Sequence, residues 1–96
     1  MDLTFEWFGF SSPQMAAALA IRTRVFVDEQ GYTLEEDRDE QDKTALHVLG
    51  RDAAGEPVCT ARMFEEQPGV WHIGRVATYA ARRGRGYAGA MMREMC

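Results

Sequence analysis

The chain has 96 residues, a formal net charge of −4 and a hydrophobic fraction of 46%. A chain of this length forms one small domain, here residues 1–96, and its acidic balance argues against nucleic acid as the main partner. No apolar run approaches the ~18 residues of a membrane span, and the first residues lack the basic and apolar regions of a signal peptide. Cys59 and Cys96 have no metal-ligand spacing, which predicts reduced thiols, a cytoplasmic protein and no metal site.

The first third of the chain predicts a strand followed by a helix. Residues 3–7 alternate between apolar and polar side chains, which is typical of a strand. Ser12-Pro13 supplies a helix start, because serine caps helices and proline suits the first helical position. Apolar residues then recur at helical spacing over residues 15–26, and Gly31 is the predicted stop.

The next stretch is strongly acidic. Residues 28–42 carry eight carboxylates against one arginine, Arg38. Residues 32–43 are predicted to form a loop with one helical turn near residues 33–36. A charge run of this kind is most often a solvated loop, and the alternative is a loop that attracts a cationic amine substrate.

The second half of the chain predicts three strands and a helix. The strands lie at Ala45–Arg51, Val58–Phe64 and Val70–Thr78, with turns rich in glycine, proline and acidic residues between them. The last of these strands is apolar on both faces, which predicts a central position in the sheet. A helix follows at Gly86–Met95, so the order of elements is β-α-loop-β-β-β-α.

Glycine and arginine fill the turn between the last strand and the last helix. Gly84-Arg85-Gly86-Tyr87-Ala88-Gly89 fits GxGxxG, but a dinucleotide fingerprint requires the first strand–helix unit and an acidic residue about 20 positions later. Convergent N–H groups, the positive end of a helix and neighbouring guanidinium groups favour binding of phosphate instead. The alternative is a glycine-rich turn with solvated arginines.

Two separated segments resemble the GNAT superfamily of N-acetyltransferases. Val76-x-Thr78, four residues and then Arg83-x-x-Gly86-x-Ala88 resembles its coenzyme A signature, and Arg22–Gln30 resembles the R-x-x-V-F-V-x-E-Q segment of the ElaA-like branch. The resemblance covers residues 3–96 and implies an α/β (α+β) GNAT fold with a mixed, mostly antiparallel sheet flanked by helices. It also implies direct transfer of an acetyl group from acetyl-CoA to the amine of a small molecule or a peptide.

The resemblance implies roles for the residues of the signature. The backbone of Val76, Ala77 and Thr78 is implied to contact the pantetheine arm, with the Ala77 N–H polarising the thioester carbonyl. The diphosphate is implied to lie on a segment made of Arg83, Gly84, Arg85, Gly86, Tyr87, Ala88 and Gly89. Glycine at 84 and 86 leaves no Cβ to block a pyrophosphate.

His72 is the candidate catalytic base. Several GNAT enzymes place a Glu or His four residues before the segment that Val76–Thr78 matches, and the ordinary pKa of histidine, near ~6.5, suits this work. The alternative is a strand histidine that faces solvent or packs beside Trp71. Glu65 and Glu66 are secondary candidates, with solvated turn residues as the alternative.

Two arginines of the first helix are candidates for the acceptor site. Arg22 and Arg24 lie on the helix that flanks this site in the family. The alternative is a structural ion pair of these arginines with Asp28 or Glu29, since pairs at i,i+4 form readily. The family often uses a tyrosine beyond the next strand to protonate the leaving thiolate, and the sequence assigns no residue to this role.

The resemblance predicts a domain that is incomplete at its C-terminus, because the family fold continues past the equivalent of Cys96 with a fifth strand, a helix and a hairpin. An unpaired fourth strand is a template for another chain, which leaves a homodimer open. The alternative function is a non-catalytic acyl-CoA-binding or interaction module derived from the GNAT fold. A small adaptor domain with a phosphate-binding turn would require the two sequence matches to be coincidental.

Overall fold

The computed structural model describes residues 3–83 and 86–95, apart from the side chains of Ala81 and Ala88. Four strands form one sheet in the order β1-β2-β3-β4, with every neighbouring pair antiparallel: β1 Thr4–Phe8, β2 Leu46–Arg51, β3 Pro57–Gln67 and β4 Val70–Thr78. The helices are α1 Met15–Arg22, continued by a π-helical segment at Thr23–Glu29, then α2 Leu34–Asp37, α3 Gln41–Thr44 and α4 Tyr87–Met95, with a 3-10 turn at Ala80–Arg82. The predicted α+β class is confirmed.

Short polar side chains mark the helix starts. α1 begins at Met15 with Gln14 as its N-cap, so the predicted cap at Ser12 and first helical position at Pro13 are wrong. Ser12 Oγ instead accepts the Gln14 N–H over 3.2 Å in the turn before the helix. Thr33 and Glu36 form a capping box at the start of α2, because each side chain accepts the backbone N–H of the other residue over 3.1 and 2.9 Å. The predicted helical turn is therefore present, whereas α3 is an additional turn inside the predicted loop.

Helices cover both faces of the sheet. The strand period of two directs neighbouring residues to opposite faces, so Leu49 packs toward α1 while Val48 packs toward α4. The α1 face buries Phe8, Met15, Ala18, Ile21, Val25, Leu49 and Ala77, and the α4 face buries Val48, Val58, Cys59, Ala61, Met91 and Met95. Within the described ranges, no helix combines the length and the hydropathy needed to cross a lipid bilayer.

β4 is a terminal strand of this sheet. Among residues 3–83 and 86–95 it pairs with β3 alone, so the predicted central position is wrong for the described sheet. The apolar residues on its two faces have another cause, since Ala77 packs on the α1 side and Val76 on the α4 side. The first residues of β4 are open to solvent, with Trp71 52% exposed.

A β-bulge interrupts the pairing of β3 with β4. The register pairs Arg62 with Gly74 and then Thr60 with Ala77, so two residues of β4 oppose one residue of β3. Arg75 lies in this bulge with a φ of 51°. The bulge separates an exposed half of β4 from the half that reaches the core.

Ion pairs bind part of the acidic stretch to α1 and to the sheet. We call this group the Arg–Asp cluster; it consists of Arg22, Arg62, Arg75, Asp37, Asp39 and Asp42. The carboxylate of Asp42 links three elements, because its Oδ1 accepts from Nη1 of Arg22 and from Nη1 of Arg62, each over 2.8 Å. Asp37 and Asp42 are each 2% exposed. The prediction of a solvated loop is wrong for these residues, since a carboxylate is buried only when it is paired. Their charges are already neutralised, so they do not attract a cationic amine either.

Arginine partners hold the aspartates of the cluster in their charged form. Hydrogen bonds from Arg62, with the charges of Arg62 and Arg75, hold the pKa of Asp39 below its ordinary value. Burial acts to raise the pKa of Asp42, but the hydrogen bonds and charges of Arg22 and Arg62 outweigh burial and lower it. Asp39 and Asp42 are therefore ionised near neutral pH.

His47 of β2 is buried beside the cluster. Its Nε2 lies 2.9 Å from the carbonyl oxygen of Asp42, so Nε2 carries the proton and donates it. The ring stacks on Phe8 with centroids 5.7 Å apart. Burial lowers the pKa of His47, which keeps the imidazole neutral next to two guanidinium groups.

Replacing Arg22 by methionine should destabilise the fold strongly. The change keeps an apolar side chain but leaves Asp37 and Asp42 without the arginine that binds both, and breaking a buried pair costs about 3–5 kcal/mol. The matched control is Arg24→Met, because Arg24 is exposed and its pair with Asp28 spans 3.8 Å. Loss of that exposed pair costs about 0–1 kcal/mol. Urea unfolding measures both variants, and equal losses would contradict the structural role of the cluster.

Candidate functional site

The described part of the glycine-rich turn opens directly into α4. Gly86 has a φ of 76°, a left-handed conformation that glycine adopts without steric cost. The Ala90 N–H donates to the Gly86 carbonyl oxygen over 3.0 Å and closes the first turn of the helix. The N–H groups of residues 87–89 precede the first helical donor, so the helix itself offers them no acceptor. Gly86 and Gly89 are exposed, and this face of the turn is open.

The structure brings together only part of the predicted diphosphate segment. Gly86, Tyr87 and Gly89 lie in or beside the first turn of α4, and the ring of Tyr87 packs on the α4-face core. Gly84 and Arg85 lie outside the described residues, as does the side chain of Ala88. Contact of this segment with a diphosphate stays a prediction.

The backbone at the end of β4 faces alternately toward β3 and away from the sheet. The Tyr79 N–H donates to the Val58 carbonyl oxygen over 3.1 Å, which marks this pair as hydrogen-bonded. Such pairs alternate in antiparallel ladders, so the backbone groups of Thr78 face outward and those of Ala77 face β3. In agreement, the Arg83 Nε–H donates to the Thr78 carbonyl oxygen over 3.1 Å from outside the sheet. The role predicted for the Ala77 N–H therefore conflicts with the strand geometry.

Two arginines before the turn are held by acidic side chains. Arg83 Nη2 lies 2.7 Å from Glu29 Oε1, and the same guanidinium reaches the Thr78 carbonyl. Arg82 Nη1 lies 2.8 Å from Asp52 Oδ2. Arg83 thus joins the π-helical segment to the end of β4, and it stays 46% exposed beside the glycine-rich turn.

His72 is exposed on β4 and lies against two neighbours. Its ring centroid is 5.1 Å from that of Phe64, the residue opposite it on β3. The ring also extends over Gly74, because a Cβ placed at residue 74 would lie 3.3 Å from His72 Nε2. Trp71 points to the other face of the strand and does not flank the imidazole. The ring therefore faces solvent and extends along β4 toward the bulge.

The two secondary base candidates belong to the β3–β4 turn. Glu65 Oε2 accepts the Gly69 N–H over 3.2 Å and closes that turn. Glu66 is exposed next to it. Both residues lie on the side of His72 away from the bulge, which favours their interpretation as turn residues.

Arg22 does not reach an acceptor site. It is 1% exposed and its guanidinium is bound within the Arg–Asp cluster, so the predicted substrate contact is replaced by a structural one. Its partners, Asp37 and Asp42, are 15 and 20 residues away along the chain rather than within the same helix. The predicted pairing of Arg22 with Asp28 or Glu29 is therefore also wrong.

Arg24 has the exposed position that Arg22 lacks. Its Nη1 lies 3.8 Å from Asp28 Oδ2, which is the i,i+4 pair expected as the alternative to substrate contact. Arg24 also lines a cleft of about 510 Å³ together with Tyr79 and Arg82. A contact of Arg24 with substrate stays a prediction.

Sequence reasoning overlooks two residues of this region, Gly74 and Arg75. An isolated glycine inside a strand indicates a bulge or a close approach, and Gly74 shows both, so this signal was present. The left-handed backbone of Arg75 has no such signal, because an arginine in a strand pattern is ordinarily extended.

The comparisons with known proteins agree with this geometry. The model of the acetyltransferase (GNAT) family matches residues 12–96. The chain therefore belongs to the GNAT acetyltransferase family, as the two sequence segments predicted.

Several solved structures are similar to the chain. A Lactobacillus plantarum protein assigned as an N-acetyltransferase is 26% identical, with a TM-score of 0.86 over 99% of this chain and 65% of its own. ElaA from Escherichia coli is 29% identical, with a TM-score of 0.80 over 97% of this chain and 66% of its own. An acyl-CoA N-acyltransferase from Pseudomonas aeruginosa is 25% identical, with a TM-score of 0.81 over 97% and 66%. The chain thus spans just under two thirds of the length of these relatives.

Replacing Gly74 by alanine should displace the His72 ring. The new Cβ would lie 3.3 Å from Nε2, which is tighter than most Cβ contacts, so the ring must shift by a few tenths of an ångström relative to Phe64. A strained side-chain torsion of this kind costs about 0.5–1.5 kcal/mol and leaves the chain folded. NMR of the imidazole protons reports the change, because the ring current of Phe64 then acts on them differently. Gly9→Ala is the matched control, since a Cβ there meets nothing within 4 Å. Unchanged His72 signals in Gly74→Ala would contradict this packing.

Proposed function

We propose that the chain carries the coenzyme A-binding part of an N-acetyltransferase, which moves an acetyl group from acetyl-CoA to the amine of a small molecule or a peptide by direct transfer. The observation that carries this proposal is the exposed start of α4 at Gly86, next in the chain to the outward backbone of β4. Membership of the GNAT family supports it. The proposal includes a cytoplasmic location, for which the free thiol of Cys59 is the support.

The described residues fit the diphosphate of acetyl-CoA. The N–H groups of residues 87–89 and the helix dipole favour negative charge at the start of α4. Gly86 and Gly89 present no side chain that would narrow the approach. Arg83 is close enough along the chain to add a guanidinium, in exchange for its present contact with Glu29. Gly84 and Arg85 complete the proposed segment.

The outward groups of β4 fit an extended amide chain. The backbone of Thr78 faces away from β3, and by the same alternation the next outward groups toward the bulge are those of Val76. We assign the pantetheine contacts to these two residues. We also transfer the polarising role from the Ala77 N–H to the Val76 N–H, because a donor must point at the oxygen it stabilises.

His72 is the proposed base. Bound acetyl-CoA supplies an activated acetyl group, and transfer requires the acceptor nitrogen to be neutral. The imidazole of His72 is exposed and extends toward the bulge, where it can accept a proton from that nitrogen. Exposed acidic side chains of α2, among them Glu35, are available to attract a cationic acceptor.

The alternative function is binding of an acyl-CoA or a partner without turnover, because none of the described residues is assigned to protonate the leaving thiolate. Release of the coenzyme A thiol separates the two functions. Binding without release for any of a panel of polyamines, aminoglycosides and amino acids would favour the second.

Replacing Gly86 by alanine should weaken acetyl-CoA binding. Gly86 has a φ of 76°, and a left-handed conformation costs a residue with a Cβ roughly 1–2 kcal/mol, so the free alanine variant relaxes to another backbone conformation. Binding must then restore the left-handed turn, which lowers the affinity by about 10-fold. Gly55→Ala is the matched control, because Gly55 has a φ of 83° with open space around it in the β2–β3 turn. Isothermal titration measures both. Equal affinities of the two variants, or no binding by the parent chain, would contradict the proposal.

Replacing His72 by glutamine should slow thiol release without weakening acetyl-CoA binding. Loss of a general base costs about 10²–10⁴-fold in turnover. Glu66→Gln is the control in the nearby turn and should keep the parent rate. A variant at position 72 with the parent rate would exclude His72 as the base.

A further inference from the structure

Arg75 has an unusual backbone conformation. Its φ is 51°, and the other described residues with positive φ are all glycines: Gly31, Gly55, Gly69 and Gly86. A residue with a Cβ holds this conformation only when the surrounding structure fixes it, and such residues concentrate at functional sites. We therefore looked to the contacts of the Arg75 side chain for the interactions that stabilise its left-handed backbone.

The guanidinium of Arg75 is bound to the C-terminal end of α2. Its Nε donates to the Asp37 carbonyl oxygen over 3.0 Å, and Nη2 donates to the Glu36 carbonyl oxygen over 3.0 Å. Nη2 also donates to Asp39 Oδ2 over 3.2 Å. Carbonyl groups at a helix end have no partner within the helix, and a cation is favoured there, so these contacts offset the strained backbone.

Arg75 occupies the open side of the Arg–Asp cluster. The side chains of Arg22 and Arg62 are 1% and 5% exposed, whereas that of Arg75 is 28% exposed. The buried arginines fix the α2–α3 segment to α1 and β3. Arg75 connects the same segment to the bulge of β4, three residues before the outward backbone of Thr78.

We infer that Arg75 is a positioning residue. By binding the bulge of β4 to the α2–α3 segment, it fixes the backbone of residues 76–78, including the groups that face outward. This inference rests on the proposed function, in which those groups hold the pantetheine arm. A displacement of α2–α3, including one caused by an acceptor that binds to its exposed acidic side, is then transmitted directly to β4 through Arg75, whereas Arg62 connects the same segment to β3.

A mutational cycle in the ligand-free chain tests the connection. Arg75→Gly removes the guanidinium but keeps a residue that adopts φ 51° freely, so it separates the contact from the backbone strain. Asp39→Asn disturbs α2–α3 at a carboxylate that Arg75 touches, and it conserves the size of the side chain. Glu40→Gln is the matched control, since the Glu40 carboxylate is exposed and pairs with Lys43. NMR amide shifts of residues 76–78 and amide exchange of Ala77 are the measurements.

The inference predicts that Asp39→Asn shifts the amide signals of residues 76–78 in the parent and leaves them unchanged in the Arg75→Gly background. Glu40→Gln should leave them unchanged in both. Exchange of the Ala77 amide should become roughly 10-fold faster in Arg75→Gly, because local opening loses a set of charge-assisted contacts. Shifts from Asp39→Asn that persist in Arg75→Gly, or are absent from the parent, would overturn the inference. If Arg75→Gly does not fold, Arg75→Lys, which keeps the charge without the fork, takes its place in the same cycle.

Titration of the same variants with acetyl-CoA connects the cycle to function. Asp39→Asn should weaken binding in the parent and have no further effect in Arg75→Gly, a dependence that a purely structural role of Arg75 would not produce. A parent chain that shows the coupled shifts but binds no acetyl-CoA would overturn the proposed function and leave the positioning role intact. A parent chain that binds acetyl-CoA but shows no coupled shifts would overturn the positioning role of Arg75 and leave the proposed function intact.

Discussion

The carboxylate of Asp42 is shared by two buried guanidinium groups, and the arrangement of the acidic stretch depends on this contact. One oxygen accepts hydrogen bonds from Arg22 of α1 and from Arg62 of β3. Separating α3 from these partners would leave buried charges uncompensated, which is far more costly than breaking an exposed ion pair. The α2–α3 segment is therefore held against the sheet, and its position in turn fixes where Arg75 and the bulge of β4 can lie.

The bulge divides β4 into two parts that differ in exposure. Before it, the strand is exposed and carries His72 beside Phe64 and over Gly74. After it, the strand enters the core through Ala77 and presents outward backbone groups at Thr78, close in sequence to the open start of α4. The proposed base, the outward backbone at the end of β4 and the proposed phosphate-binding start of α4 thus follow one another along a short stretch of chain.

Local patterns predicted the elements well, and long-range pairing explains what they missed. The bounds of β4 agree with the prediction at both ends, because turn residues flank it and apolar residues lie on both of its faces. The turn at α3 has no apolar periodicity and exists because Asp42 reaches arginines 20 residues away in both directions of the chain. The burial of Arg22 could not be predicted from its own helix either, because its partners Asp37 and Asp42 are 15 and 20 residues away along the chain. The glycines and arginines predict a phosphate-binding turn, and the resemblance to the GNAT signature implies coenzyme A there. The direction of the Ala77 N–H depends on the pairing register, which a single strand does not reveal.

The central claim is that the outward end of β4 and the first turn of α4 together bind coenzyme A. A titration of the isotope-labelled chain with acetyl-CoA, followed by backbone amide NMR, tests it most directly. The account predicts saturable shifts that are largest at Val76, Thr78 and residues 86–89, with small changes on β1 and β2. Saturation without shifts at those residues, or the largest shifts in the cleft lined by Arg24 and Tyr79, would contradict it.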